Sequence, residues 1–263
     1  MEPSRPPDPA PQGLTVSQQD IVRGLHNLGL RTGAVVEVHS SLRAFGRVDG
    51  GAATVIAALM DVVGREGTLV MSAYPVTPPL PLTADDQARG ITWKVRWLPE
   101  TSLERTGMGL VADTFRQQPH VLCGSGRFRT CAWGRDAEWH LDGYHGLLAV
   151  DGWCLLLGVG IDRCSSMHAA EAAPLPAPVS AYFAVPEEVR HMYDPAAWSI
   201  GYGGTPDDAW QKVYAAADQQ GLIRHTRIGQ AQCHLFKARS VVAIYKRWRH
   251  TDPFSLYGVP KNG

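Results

Sequence analysis

AVVEVHSSLRAFGRVDGGAATVIAALMDVVGREGTLVM, residues 34–71, decides the fold. Ala34 to Val38 is a short β-type run that stops abruptly at His39-Ser40-Ser41. Gly50-Gly51 then precede an apolar stripe, Val55, Ile56, Leu59, Val62 and Val63, at helical spacing. Gly64 and Gly67 turn the chain into a second strand, Thr68 to Met71. Strand, loop, helix, strand in that order is a βαβ unit, which predicts parallel strands with helices packed on them. Three polar side chains at the end of the first strand sit where such folds place their chemistry.

A second stretch, Leu147 to Pro174, LLAVDGWCLLLGVGIDRCSSMHAAEAAP, repeats the theme. A buried strand, Trp153 to Leu157, leads through a Gly turn into a polar loop and Met-His-Ala-Ala-Glu. His168 and Glu171 are three apart and share one helical face. Such a pair is either a local hydrogen bond at a helix start or a general base with its orienting carboxylate. Asp162, Ser165 and Ser166 complete this cluster. A third cluster, Gly124 to Arg129 (GSGRFR), is either a solvated loop or an anion site.

Elsewhere, Thr15-Val16-Ser17-Gln18 fits a capping box ahead of Ile21, Val22, Leu25 and Leu28, with Gly29 as the stop. Tyr74 to Gly90, with four prolines, reads as a long surface loop. Met108 to Phe115 reads as a short helix and Arg127 to Trp133 as a strand. Pro174 to Pro186 is again Pro-rich. An amphipathic helix is expected over Asp207 to Gln220, with Pro206 at its start. Ser240 to Trp248 reads as a last helix, although its Val-Val-Ala-Ile also suits a strand.

The chain has 263 residues and is 44% hydrophobic and 19% charged, an ordinary globular composition. Residues 1–13 read as a flexible Pro-rich tail and 14–263 as one domain. Lys plus Arg and Asp plus Glu are both 25, which argues against binding nucleic acid by bulk charge. No stretch is apolar for long enough to span a bilayer, and the tail lacks the pattern of a signal peptide. The five cysteines are odd in number and form no CxxC pair, which fits a reduced, cytoplasmic protein. The ten histidines show no metal-ligand spacing, so no metal is expected. There is no Walker A loop, no third glycine after Gly158-Val159-Gly160 for a dinucleotide fingerprint, and no G-x-S-x-G elbow. Nothing in the sequence speaks to oligomeric state.

Residues 39–71, together with LLLGVGID, the Met-His-Ala-Ala-Glu at 167–171 and the late segment IGQAQCHLFKARSVVAIYKRWRHTDPFSL, resemble the aminoglycoside 3-N-acetyltransferases, the antibiotic N-acetyltransferase family. The likeness covers most of residues 15–256. It implies a single mixed α/β domain with a largely parallel central sheet flanked by helices, distinct from the more common acetyltransferase fold. It also implies acetyl-CoA as cosubstrate and an amine of the deoxystreptamine ring as acceptor. By position, His168 would be the general base, Glu171 its partner and Asp162 a further orienting carboxylate. His39, Ser40, Ser41, Leu42 and Arg43 would lie against the pantetheine arm and thioester, with Ala73 and Tyr74 near the same channel. The family's Arg-Ser-x-His-Pro motif on the coenzyme side is replaced by Leu122-Cys123-Gly124-Ser125-Gly126, which leaves Ser125 as the matching residue and no His-Pro.

The chemistry expected of such a site is direct transfer. An ammonium cannot attack a thioester, so a base must first take its proton, and an imidazole with an ordinary pKa of about 6.5 suits this. The tetrahedral oxyanion then needs a donor, for which the Ser40-Ser41 turn is the candidate. Cys164 need not be a nucleophile. A polycationic acceptor calls for carboxylates, and Glu171, Asp85, Asp86, Glu100 and Glu104 are the candidates. Arg127 and Arg129 are candidates for a CoA phosphate. Two other readings stay open: acetyl transfer to an amine that is not an aminoglycoside, and a relative that binds CoA without catalysis.

Overall fold

The computed structural model describes residues 15–203 and 207–261. The expected tail at 1–13 and the start of the helix at Pro206 lie outside the described residues. Nine strands form among the described residues: β1 (Val35–Ser40), β2 (Thr68–Ser72), β3 (Ile91–Arg96), β4 (Leu122–Cys123), β5 (Thr130–Gly134), β6 (Trp153–Leu157), β7 (Trp198–Tyr202), β8 (Ile223–Ile228) and β9 (Ala231–Lys237). Seven of them make one sheet in the order β4-β5-β2-β1-β6-β9-β8, while β3 and β7 form a separate antiparallel ribbon.

The βαβ unit forms as its sequence predicts. β1 and β2 are parallel, joined through the helix Gly51–Val63. Gly50 and Gly51 both hold positive φ, 70° and 63°, a backbone that side chains disfavour, and this lets the chain turn sharply into the helix. β6 joins β1 on its other side, also parallel, with Val36 opposite Trp153 and Ser40 opposite Leu157. Within this sheet, parallel pairing is confined to these three central strands. β5 and β9 pair antiparallel with β2 and β6, and β4 and β8 extend the flanks in the same manner. The sheet is therefore mixed, with a parallel centre. A hairpin such as β8–β9 needs only a short turn, whereas each parallel step needs a crossover.

Each face of the sheet carries a core. On one, the helices Gln18–Leu28 and Gly51–Val63 bury Ile21, Leu25, Val55 and Leu59 against Val36, Leu69 and Leu155. On the other, the helices Asp207–Gln219 and Ala238–Thr251 bury Trp210, Val213, Val241 and Tyr245 against Cys154, Leu156 and Phe236. The Val-Val-Ala-Ile segment is thus helical.

Three local expectations are corrected. The capping box of the first helix is Ser17 with Asp20, not Thr15 with Gln18: Ser17 Oγ accepts from Asp20 N–H, and the Asp20 carboxylate accepts from Ser17 N–H at 3.0 Å. The segment 74–90 is not simply a surface loop. Val76 and Thr77 are buried, a short helix forms at Ala84–Ala88, and Asp86 is fully buried against Lys94. The cysteines are not all reduced, because Cys123 and Cys131 face each other across the β4–β5 ladder and form a disulfide. Their separation in sequence hid a pairing that only the hairpin register creates. Among the described residues, no helix is long and apolar enough to cross a membrane.

Candidate active site

The parallel centre of the sheet directs β1, β2 and β6 to end at one place, and a cleft of about 840 Å³ opens there. His39 and Ser40 close β1, Ser72 closes β2, and Gly158 follows β6; all four line the cleft. Gly158 holds φ at 70°, and a Cβ there would collide with Ala44 in the turn after β1, so the two strand-end turns meet only through a glycine. Ser41 N–H donates to Leu157 O at 2.9 Å, which fixes that turn to the end of β6. This occupies the Ser41 backbone donor.

His168 projects into the cleft from a short 3-10 segment, Ser165–Ala170. Its Nδ1 lies 2.7 Å from Glu171 Oε2, which leaves Nε2 as the nitrogen available to a ligand. The ring packs edge-on against Trp210 at 4.9 Å. Glu171 is itself held: Tyr245 Oη donates to Oε1 at 3.1 Å, and Tyr245 and Tyr257 hydroxyls meet at 2.8 Å. Arg249 donates to Tyr257 Oη and to Ala173 O. Burial pushes the Glu171 carboxyl upward, but the His168 contact, the Tyr245 hydroxyl and the Arg249 charge outweigh it and hold the group below its ordinary value.

Of the other expected residues, Ser40, Ser41, Leu42, Arg43, Tyr74 and Asp162 also line the cleft. Tyr74 Oη meets Tyr144 Oη at 2.6 Å, and burial raises the pKa of both phenols. Asp162 pairs with its neighbour Arg163 at 3.0 Å, so the carboxylate that holds the His168 ring is Glu171 and not Asp162. Ala73 and Ser125 are not among the cleft-lining residues. Ala73 is buried, with its N–H donating to Arg129 O and its carbonyl accepting from Arg129 Nε, and Ser125 sits on the exposed β4–β5 loop.

Both arginines of that loop have partners within the protein. Arg129 is buried and bonded to Ala73 O and Glu100 O, and Arg127 stacks on Trp97 and donates to Ala196 O. The candidate acceptor carboxylates also have other partners. Asp86 binds Lys94 and Tyr193, Asp85 binds Arg89, and Glu100 binds Arg129 and Gly126 N–H. Glu104 Oε1 accepts from Ser102 Oγ at 3.5 Å. The sequence reading missed Trp210, Arg105 and Arg163, which also line the cleft, and Tyr245, which reaches Glu171 from the last long helix. The residues of the cleft wall from 105 to 110 are local to no motif, and only the fold brings them to the strand ends.

At the floor of the cleft, which His39 and Cys164 help to line, Glu37, His39, Cys154 and Cys164 bring their polar atoms within 4.8 Å of one another. His39 Nε2 accepts from Ser165 N–H at 3.2 Å and lies 3.1 Å from Glu37 Oε1. Burial opposes protonation of His39, and the Glu37 carboxylate more than offsets this, so its pKa is raised.

The model of the aminoglycoside 3-N-acetyltransferase family matches residues 38–250. The chain is 28% identical over 257 residues to the SPbeta prophage-derived aminoglycoside N(3')-acetyltransferase-like protein YokD of Bacillus subtilis, covering 88% of this chain and 92% of that protein. It is 30% identical over 269 residues to aminoglycoside N(3)-acetyltransferase VIII of Streptomyces fradiae, covering 90% and 92%. Its fold matches that of aminoglycoside acetyltransferase AAC(3)-IVa as the apoenzyme, with a TM-score of 0.69 at 21% identity, over 94% of this chain and 93% of that one. It likewise matches AAC-IIIb in a binary complex with CoASH, with a TM-score of 0.64 at 22% identity, over 95% and 100%. The chain therefore belongs to the aminoglycoside 3-N-acetyltransferase family of acyltransferases.

Proposed function

We propose that the protein transfers the acetyl group of acetyl-CoA to the 3-amino group of the deoxystreptamine ring of an aminoglycoside, with His168 as general base. The observation that carries this reading is the His168–Glu171 pair at the mouth of the strand-end cleft. Glu171 accepts a hydrogen bond from Nδ1–H, which fixes the tautomer and leaves the Nε2 lone pair to take the proton of the acceptor ammonium. The amine then attacks the thioester carbonyl, the tetrahedral adduct expels the CoA thiolate, and the second proton lost from the nitrogen ends on the thiolate as CoASH. The Ser40 and Ser41 hydroxyls are suited to donate to the oxyanion. A relative crystallised with CoASH, and AAC(3)-IVa variants crystallised with apramycin and with a gentamicin, support the choice of cosubstrate and acceptor.

Arg43 and Arg105 line the cleft, and they take the place of Arg127 and Arg129 as the groups for the CoA phosphates. Acetyl-CoA as cosubstrate is the argument for a cytoplasmic setting. The cysteines no longer supply one, since two of them form a disulfide.

The test is thiol release from acetyl-CoA by the purified protein against a panel of 4,6- and 4,5-linked aminoglycosides and simple amines. Release with an aminoglycoside, lost in His168→Ala, supports the reading. Release only with amines that lack a sugar ring would replace the acceptor, and CoA binding without any turnover would replace the enzyme by a binding protein.

A further inference from the structure

Glu37 is an unusual residue for its position. It lies on the central strand β1, is 1% exposed, and neither carboxylate oxygen has a hydrogen-bond partner among the described residues. An ionised carboxylate in such a place costs several kcal/mol unless something of opposite charge meets it. The nearest polar atom is His39 Nε2, 3.1 Å from Oε1, but that nitrogen's lone pair accepts the Ser165 N–H. In that arrangement a lone pair faces a carboxylate, and the contact is satisfied either by a proton shared between them or by a metal cation bound to both.

Two further donors complete the surroundings. Cys154 on β6 and Cys164 after it are fully buried, with their sulfurs 3.3 Å apart. Ser166 Oγ lies 3.2 Å from Cys164 Sγ and can donate to a thiolate there. Around a zinc ion with bonds of about 2.0–2.3 Å, tetrahedral ligand atoms stand about 3.3–3.8 Å apart. The observed 3.1 Å and 3.3 Å pairs need to spread slightly to reach this, and the longer separations, which extend to 4.8 Å, need to close.

We propose that Glu37, His39, Cys154 and Cys164 form a binding site for one zinc ion at the floor of the cleft. Two thiolates, one imidazole and one carboxylate suit zinc, whereas magnesium and calcium prefer oxygen donors alone. All four positions are filled by protein, so the site is structural rather than open to substrate. It ties β1 and β6 to the loop that carries Ser165 and, three residues further, His168. On binding, His39 Nε2 exchanges the Ser165 hydrogen bond for the metal. The spacing of these residues in the sequence gives no metal motif, which is why the sequence predicted none.

The experiment is metal analysis of the full-length protein purified without chelators under reducing conditions, followed by Co(II) exchange. About one zinc per chain is expected. The cobalt form should show the visible bands of a tetrahedral ion and a thiolate-to-cobalt charge-transfer band. Glu37→Gln and Cys154→Ser should each lower zinc affinity about tenfold or more, and Cys154→Ser should weaken the charge-transfer band. Two variants are used so that one failing to fold leaves the other to report, with circular dichroism as the check. A folded wild-type protein that contains no zinc and takes up neither Zn(II) nor Co(II) would overturn the site. It would leave a buried imidazolium–carboxylate pair beside two thiols. None of these readouts depends on acetyl transfer.

Discussion

His168 Nδ1 stands 2.7 Å from Glu171 Oε2, and the opposite oxygen of the same carboxylate accepts from Tyr245 at 3.1 Å. Glu171 therefore has no free choice of direction. One oxygen is tied to a helix on the buried side of the domain, so the other is aimed at the imidazole.

If this pair supplies the base, His168→Ala removes most turnover. A general base contributes about 10²–10⁴-fold, and a loss in that range is expected in kcat, with CoA affinity nearly unchanged. Steady-state rates together with calorimetric titration of CoA check both halves. A loss of only a few-fold would assign the proton to another group.

Tyr245→Phe deletes a single hydroxyl and leaves the packing of the ring. The lost hydrogen bond to the Glu171 carboxylate is worth about 1.5–3 kcal/mol, of which only the part that orients His168 reaches the rate. Since the tyrosine acts through Glu171 and His168, the expected effect is a few-fold fall in kcat with KM for acetyl-CoA unchanged. A rise in KM alone would contradict a positioning role.

Arg43 and Arg105 offer a separate test of how the coenzyme is held. Each lines the cleft. Arg43→Ala and Arg105→Ala are each expected to raise KM for acetyl-CoA about tenfold, the equivalent of about 1.4 kcal/mol, with kcat little changed. Added salt should weaken the wild-type affinity and have less effect on the double variant. Equal KM values for variant and wild type would move the phosphates elsewhere.

The parallel centre of the sheet was legible because Ala34–Met71 carries both periodicities and its turns in one continuous run. The His168–Glu171 contact was legible because it is local, three residues apart. What the sequence hid depends on register and tertiary approach. Arg129 looks like a free cation in GSGRFR, yet the antiparallel pairing of β5 with β2 places it behind Ala73, where Glu100 O and Ala73 O consume its donors. Asp86 looks like an exposed loop charge, yet β3 brings Lys94 to it. Cys123 and Cys131 meet only because β4 folds back on β5. Glu37 reads as an ordinary strand residue until β6 places Cys154 opposite it.

The Asp86–Lys94 pair gives a pH test of stability that is independent of catalysis. Asp86 Oδ2 accepts from Lys94 Nζ at 2.5 Å, and Oδ1 accepts from Tyr193 Oη at 2.7 Å. The Lys94 and Tyr193 hydrogen bonds, with the Thr83 cap, hold the Asp86 carboxyl far below its ordinary range, and the Asp86 carboxylate raises Lys94. A lowered folded-state pKa means stability that is present above the unfolded value of about 3.9 and lost as the pH falls through the folded one. For Lys94 the sign reverses: its contribution is full below about 10.4 and is lost as the pH rises through the raised folded value. The pair is therefore intact from weakly acidic to weakly alkaline pH. Asp86→Asn should lower Tm across that whole interval, and by progressively less below pH about 3.9, where the unfolded wild-type chain takes up the proton that the folded one still excludes. Thermal melts of both proteins at pH 7 and at the lowest pH that keeps them folded check this. A Tm difference that does not change between the two would mean that shape, not charge, holds the 74–90 segment to β3.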